Sequence, residues 1–253
     1  METQSLLACL DADFRRLREL ADGDLTAKVP TCPEWTQGDL VDHVAHVYLH
    51  KAESMRLGAR PRSWPPEPSG EPEAVFLART YAEMLAQFEQ RSPADHAVTW
   101  FTPDQTVGFW IRRMAQETVI HRIDAELAAG VESQPVPADL AVDGIDEVLH
   151  SFLAFSSTEW AEDYADSQAD LDGSVVGLDT GTAAWLVTLG PGAIVVTEAA
   201  SGDGLAPAAA VVRADPEAML RWLWRRADDW VVDIDGDRDV VGRLRRLLRV
   251  ATQ

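Results

Sequence analysis

Trp110-Ile111-Arg112-Arg113-Met114-Ala115-Gln116-Glu117-Thr118-Val119-Ile120-His121-Arg122-Ile123-Asp124 is the stretch that decides how this chain reads. Glu117 and His121 stand at i and i+4, so on a helix their side chains share one face, a single turn apart. Met114 and Thr118 flank that face and turn it inward. A carboxylate and an imidazole at this spacing can chelate one ion, and helix-borne Glu/His pairs build metal sites inside bundles. Asp124 lies near the same face and can accept the ring N–H of a ligand histidine, fixing its tautomer. The same spacing also describes an ordinary solvated pair, so a third ligand is needed from elsewhere.

Working outward, this helix is expected over about Val107 to Ala129, ended by Gly130 and the Pro135/Pro137 pair. An earlier helix is announced by Thr36, an N-cap with Asp39 three residues on, a capping-box variant. It runs to about Leu57 and carries His43, His46 and His50 at i, i+3 and i+7. Three of the chain's six histidines thus fall on one helical stripe. One of them joining Glu117 and His121 gives a two-His, one-carboxylate set, which with an open fourth position is a catalytic zinc arrangement. The same donors suit nickel, iron or manganese. The alternative for these histidines is a polar bundle edge with one buried, hydrogen-bonded ring, a description that fits His46 and His50 better than ligation does.

Further helices are expected over 2–22 and 73–91, each with a regular apolar stripe, and over about 138–160. Arg60 to Pro72 holds too many prolines for a regular element. After Trp160 the pattern changes. Residues 161–173 are rich in Asp, Glu, Ala and Gly and read as a linker. Strand-like runs follow at Ser174–Leu178, Ala184–Leu189, Ala193–Thr197 and Ala208–Arg213, the middle two flanking a Gly190-Pro191-Gly192 hairpin turn. Asp215-Pro216 starts a helix, Val231–Ile234 reads as a short strand, and a basic helix follows. The expected architecture is a two-domain α plus α/β chain: a four- or five-helix bundle with a metal site over 1–162, and a small α+β domain over 172–253.

Composition narrows the partners. Of 253 residues, 46% are hydrophobic, enough for a real core, while 42 acidic residues against 22 basic ones give a net charge of −20. Such a surface repels phosphate backbones and anionic lipid, so neither nucleic acid nor membrane is expected as a partner. The most apolar stretch, Ala183 to Val196, is short and broken by the Gly-Pro-Gly turn, where a bilayer span needs roughly 20 apolar residues. The N-terminal Met-Glu-Thr-Gln lacks a basic region and a cleavage site, and Cys9 and Cys32 make no disulfide framework. The expected location is the cytoplasm. Cys32 sits before a helix N-terminus, where a thiol can be activated, but Pro33 and Trp35 beside it describe a packed turn.

Cys32-Pro33-Glu34-Trp35-Thr36…Asp39-Leu40…His43, then Glu117 through Asp124, then Asp143-Gly144-Ile145-Asp146-Glu147 resemble the mycothiol-dependent maleylpyruvate isomerase family over nearly the whole chain. That resemblance implies a DinB-like metal-binding N-terminal domain. Asp215 to Arg226 with Val232 to Asp237 resemble the family's C-terminal domain, which is similar to sterol-carrier-like folds. It implies His43, Glu117 and His121 as the metal ligands, mycothiol as thiol cosubstrate, a small electrophile as substrate, and a catalytic role for Arg226. Members often carry Gly before that arginine, and this chain has Arg225. The implied activity is a metal- and thiol-dependent isomerase of an activated cis-enoyl acid such as maleylpyruvate, or a thiol S-transferase. An anionic substrate needs local positive charge, which Arg113 or the Arg221, Arg225 and Arg226 cluster can supply. The competing readings are a metal-containing binding or regulatory protein without turnover, and a hydrolase using metal-bound water.

Overall fold

The computed structural model describes residues 1–67 and 70–252 and divides into two compact units, Met1–Gln134 and Pro135–Gln253. Within the Pro-rich stretch, Pro68 and Ser69 lie outside the described residues. The first unit is helical and the second is α+β around a five-stranded sheet, the two-domain class expected from sequence.

The first unit is built from α1 (Thr3–Leu20), α2 (Gln37–Leu57), α3 (Glu73–Glu89) and α4 (Val107–Ala129). The capping box forms as read: Thr36 Oγ1 accepts from the Asp39 amide and the Asp39 carboxylate accepts from the Thr36 amide, fixing where α2 begins. Gly58 ends α2 in the left-handed region that glycine enters without penalty. α1 buries Leu6, Leu10 and Leu17, and α3 buries Phe76, Leu77, Tyr81, Met84 and Phe88. α4 differs. Buried residues occur on every side of it, including Arg113, Gln116, Arg122, Asp124 and Glu126. It is the central post of the bundle, and its polar groups must be paired internally.

Arg122 shows how. It is fully buried and donates from Nε to Asp13 on α1 (3.0 Å), and from Nη1 to Glu126 (2.8 Å) and the Gln134 carbonyl (2.6 Å). Glu126 in turn accepts from Arg16 Nε on α1 (3.1 Å) and from Ser133 (2.6 Å). The network locks α1 to α4 and so sets the rotation of α4 within the bundle.

The second unit opens with α5 (Ala138–Glu147), continues through a π-helical turn over Val148–Phe155 into α6 (Ser156–Glu159), and then α7 (Ala161–Gln168). The strands are β1 (Ser174–Asp179), β2 (Ala184–Gly190), β3 (Ala193–Ala199), β4 (Ala210–Arg213) and β5 (Asp233–Gly236), in the order β3-β2-β1-β4-β5. Among the described residues only β1 and β4 run parallel. The Gly190–Ala193 pair closes the β2–β3 hairpin, with Gly192 at φ 83°. α8 (Pro216–Leu223) and α9 (Arg238–Ala251) complete the unit.

Several expectations are corrected here. Residues 161–173 are not a bare linker: α7 occupies most of them, anchored by buried Tyr164, whose hydroxyl donates to the Phe152 carbonyl (3.0 Å). The uniform helix expected over 138–160 is interrupted by the π-turn, where Ser156 Oγ reaches back to the Ser151 carbonyl (3.1 Å). The last strand lies two residues later than Val231–Ile234, because Asp229–Val231 forms a 3-10 turn first. The division between units falls before α5 rather than at 162–172. α5 packs on α8, and Glu217 of α8 accepts from the Val136 amide (3.1 Å).

Arg122→Met should cost about 3–5 kcal/mol, because it leaves Glu126 and Asp13 buried without their cation. Burial pushes Asp13 up to about 6 even beside Arg122, so urea unfolding should be measured at pH 8, where both acids are ionised. A loss under about 1 kcal/mol would show that the network does not carry α4.

Candidate metal centre

α2 and α4 each bring a buried seam to the bundle interior, and their facing positions decide what meets. Tyr48 on α2 hydrogen-bonds Thr118 on α4 (2.6 Å), and Thr118 Oγ1 donates to the Met114 carbonyl (2.7 Å). With that contact set, His43 on α2 stands opposite Glu117. His43 Nε2 is 3.3 Å from Glu117 Oε1, and His121 Nε2 is 3.2 Å from the same oxygen. One donor atom from each of the three lies within 4.8 Å of the others, the grouping among the described residues able to hold an ion.

Two of the three side chains are held from behind. Arg113, one turn before Glu117, donates to its other oxygen at 2.6 Å, leaving Oε1 for the site. Asp124 Oδ2 takes the Nδ1 proton of His121 (3.0 Å), and Thr31 donates to Asp124 Oδ1 (2.6 Å). The Nδ1–H tautomer so fixed leaves the Nε2 lone pair facing Glu117. The Thr31–Thr36 turn carries Trp35 against both histidines, its ring centroid 4.8 Å from His43 and 6.4 Å from His121. Cys32 is built into this turn: its amide donates to Val29 and its carbonyl accepts from Trp35, and neither it nor Cys9 is in a disulfide.

The donor set fits a divalent ion. Two donors each about 2.0–2.1 Å from a tetrahedral ion lie about 3.3–3.4 Å apart, close to the 3.3 and 3.2 Å found here. The same contacts serve a proton. Burial opposes charge on His121, but ionised Glu117 and the hydrogen bond to Asp124 outweigh it and raise the ring to about 9. Burial likewise opposes charge on Glu117. The His121 charge, hydrogen bonds from both histidines and Arg113 prevail and hold its carboxyl well below the usual range. Proton and cation are therefore alternatives at His121 Nε2.

His46 and His50 stand on the same helix but go elsewhere. His46 Nδ1 donates to the Asp42 carbonyl (2.9 Å) and its ring meets Phe76 edge-on. His50 packs on Trp64, its Nδ1 3.3 Å from Lys51 Nζ, and burial with the Lys51 charge pushes it down to about 4. Arg226 belongs to the second unit, just after α8, and donates to the Trp224 carbonyl (2.8 Å). The preceding Arg225 adopts φ 61°, the left-handed conformation that glycine enters freely. Its guanidinium is tied to Thr252 by two 3.0 Å hydrogen bonds. Sequence reasoning did not find the parts played by Thr31 and Trp35, which come from tertiary packing. Arg113 as the clamp on Glu117 was readable as an i,i+4 pair.

Comparison with known proteins gives the family and the fold. The family description "Mycothiol maleylpyruvate isomerase N-terminal domain" matches residues 7–126, and "MDMPI C-terminal domain" matches residues 139–243. A crystal structure of the mycothiol-dependent maleylpyruvate isomerase is 15% identical, with 93% of each chain covered and a TM-score of 0.61. A histidine-to-alanine mutant of that isomerase is 14% identical over the same shares, with a TM-score of 0.63. At such identity these two structures speak for the fold. A sterol-carrier-like ubiquinone synthesis protein reaches a TM-score of only 0.29 and carries no argument. Among curated proteins, none matches by sequence.

Zinc titrated into the protein at pH 7 should release about one proton per ion, and apparent affinity should rise with pH through about 9 as His121 gives up its proton. Metal should be lost as pH falls toward 5. Calorimetry in buffers of different ionisation enthalpy measures the count, and zero release at pH 7 would contradict the assigned ligand. His121→Ala should abolish stoichiometric binding, while His96→Ala, at an exposed position, should not.

Proposed function

The chain belongs to the mycothiol maleylpyruvate isomerase family, and on that premise we propose that it is a metal-dependent enzyme that uses mycothiol to isomerise an activated cis-enoyl acid such as maleylpyruvate, or to transfer the thiol to an electrophile. The observation that carries the proposal is the convergence of His43 and His121 Nε2 on Glu117 Oε1. Zinc suits two imidazoles, one carboxylate and an open position, with nickel, iron and manganese as substitutes. Bound there, the ion would lower the pKa of a coordinated thiol from its usual value of about 8.5, favouring the thiolate at neutral pH.

The protein's own groups do the remaining work. Arg113 fixes which oxygen Glu117 offers, Asp124 fixes the tautomer of His121, and Trp35 shields one side of the trio from water. The sulfur adds to the electrophilic alkene carbon while the electron pair moves into the conjugated carbonyl. The former double bond then rotates as a single bond. Returning the electron pair expels the sulfur and leaves the trans isomer. Protonation of the enolate by solvent, which takes up the proton the thiol lost, instead retains the adduct and gives transfer. Arg226, carried over from the family motif, is assigned to the substrate as a catalytic cation.

Engagement of His46 and His50 with Asp42, Phe76, Trp64 and Lys51 favours an open fourth position over a closed structural shell. The cytoplasm, where a reduced thiol cosubstrate persists, is the proposed site of action.

Protein stripped with a chelator, reloaded, and given mycothiol and maleylpyruvate should yield the trans isomer or a thiol adduct by NMR, and neither before reloading. Arg226→Ala should lower turnover without changing metal content. Absence of both products after reloading would contradict the proposal, and turnover without thiol would point to a hydrolase.

A further inference from the structure

We propose that Lys51 is the anchor for a carboxylate of the electrophile, a substrate-binding residue beside the His43, Glu117 and His121 trio. The inference rests on the functional reading above and names the group that recognises its anionic substrate.

Lys51 lies at i+8 from His43, about 80° round α2 and about 12 Å farther along the axis. Its ammonium lies near enough to the trio for the charges of Glu117 and Arg113 to act on it. The position agrees with α4, where Trp110 stands seven residues before Glu117 and the Lys51 ammonium sits 4.7 Å from the Trp110 ring centroid. Its hydrogen bonds go to a neutral acceptor, His50 Nδ1 at 3.3 Å. Among the described residues no carboxylate lies within ion-pair distance of it.

That is an unusual position for a lysine in a chain of net charge −20, where acids are abundant. The charges facing Lys51 are Glu117, Arg113 and Arg60, so cations outnumber the one acid. Glu117 is already committed to Arg113 and to both histidines. Burial pushes the ammonium down to about 8, with Arg113 and Arg60 adding to the push against Glu117. The group therefore stays charged at pH 7 in surroundings that favour a further anion.

The other end of α2 has the opposite character. A cleft of about 780 Å³ at His43 is lined by Glu34, Asp39, Asp42, Glu71 and Glu73, without an arginine or lysine. A carboxylate is repelled there and attracted at the Lys51 end. The polarity along one helix thus assigns the anionic electrophile to the Lys51 side of the trio.

Maleate is a suitable probe, compared with its uncharged diester by calorimetry on the metal-loaded protein. Maleate should bind and the diester should not. Lys51→Met should weaken maleate binding by about tenfold or more, the scale of one charge-assisted hydrogen bond, with metal content unchanged. Lys51→Arg should retain most of the affinity, which separates charge recognition from a packing role. Equal maleate affinity in Lys51→Met and the unaltered protein, or no maleate binding at all, would overturn the assignment. If Lys51-dependent maleate binding stands while thiol-dependent turnover is absent, the assignment holds and the functional reading fails.

Discussion

The carboxylate of Glu117 is the constraint on which the site depends. It is mostly buried, and it is ionised only because a guanidinium and two imidazoles surround it. Arg113 takes one oxygen, and both histidines meet at the other. Remove that charge and the two rings lose their common partner, and Asp124 alone is left to raise the affinity of His121 for a proton. The bundle in turn exists to hold this arrangement still. Arg122, one residue past His121, is tied to Asp13 and Glu126, so the face of α4 that carries Glu117 and His121 cannot rotate away.

Charge is sorted along α2 in a way that composition conceals. The whole chain is strongly acidic, yet the groups around Glu117 include Arg113 and Lys51 on one side, while carboxylates line the cleft on the other. A net charge describes long-range repulsion and solubility. It does not describe what a small ligand meets within a Debye length of about 8–10 Å. Repulsion of a polyanion by overall charge and the proposed attraction of a small organic anion at Lys51 are therefore compatible.

Much of this was legible in the sequence because it is local. The Glu117/His121 pair, the Asp124 support and the Thr36/Asp39 box each follow from helical spacing within a few residues. The choice of His43 over His46 and His50 did not follow from spacing. All three share a stripe, and only the crossing of α2 on α4 puts one of them at Glu117, so motif resemblance carried that step. The boundary between units was misplaced for a similar reason. The helical pattern over 138–160 is continuous in sequence, but its partner is α8, nearly 80 residues later. α7 escaped notice because a single buried tyrosine secures it, too few apolar positions to show a period. Arg225 takes a left-handed conformation that glycine enters freely, and two hydrogen bonds to Thr252 hold its side chain in place.

The most direct test of the central claim is anomalous diffraction at the metal edge from crystals of the protein loaded with zinc. One peak should appear about 2.0–2.2 Å from His43 Nε2, His121 Nε2 and a Glu117 oxygen. A zinc-loaded crystal with no anomalous peak between these three side chains, or with the ion bound by other residues, would contradict the account.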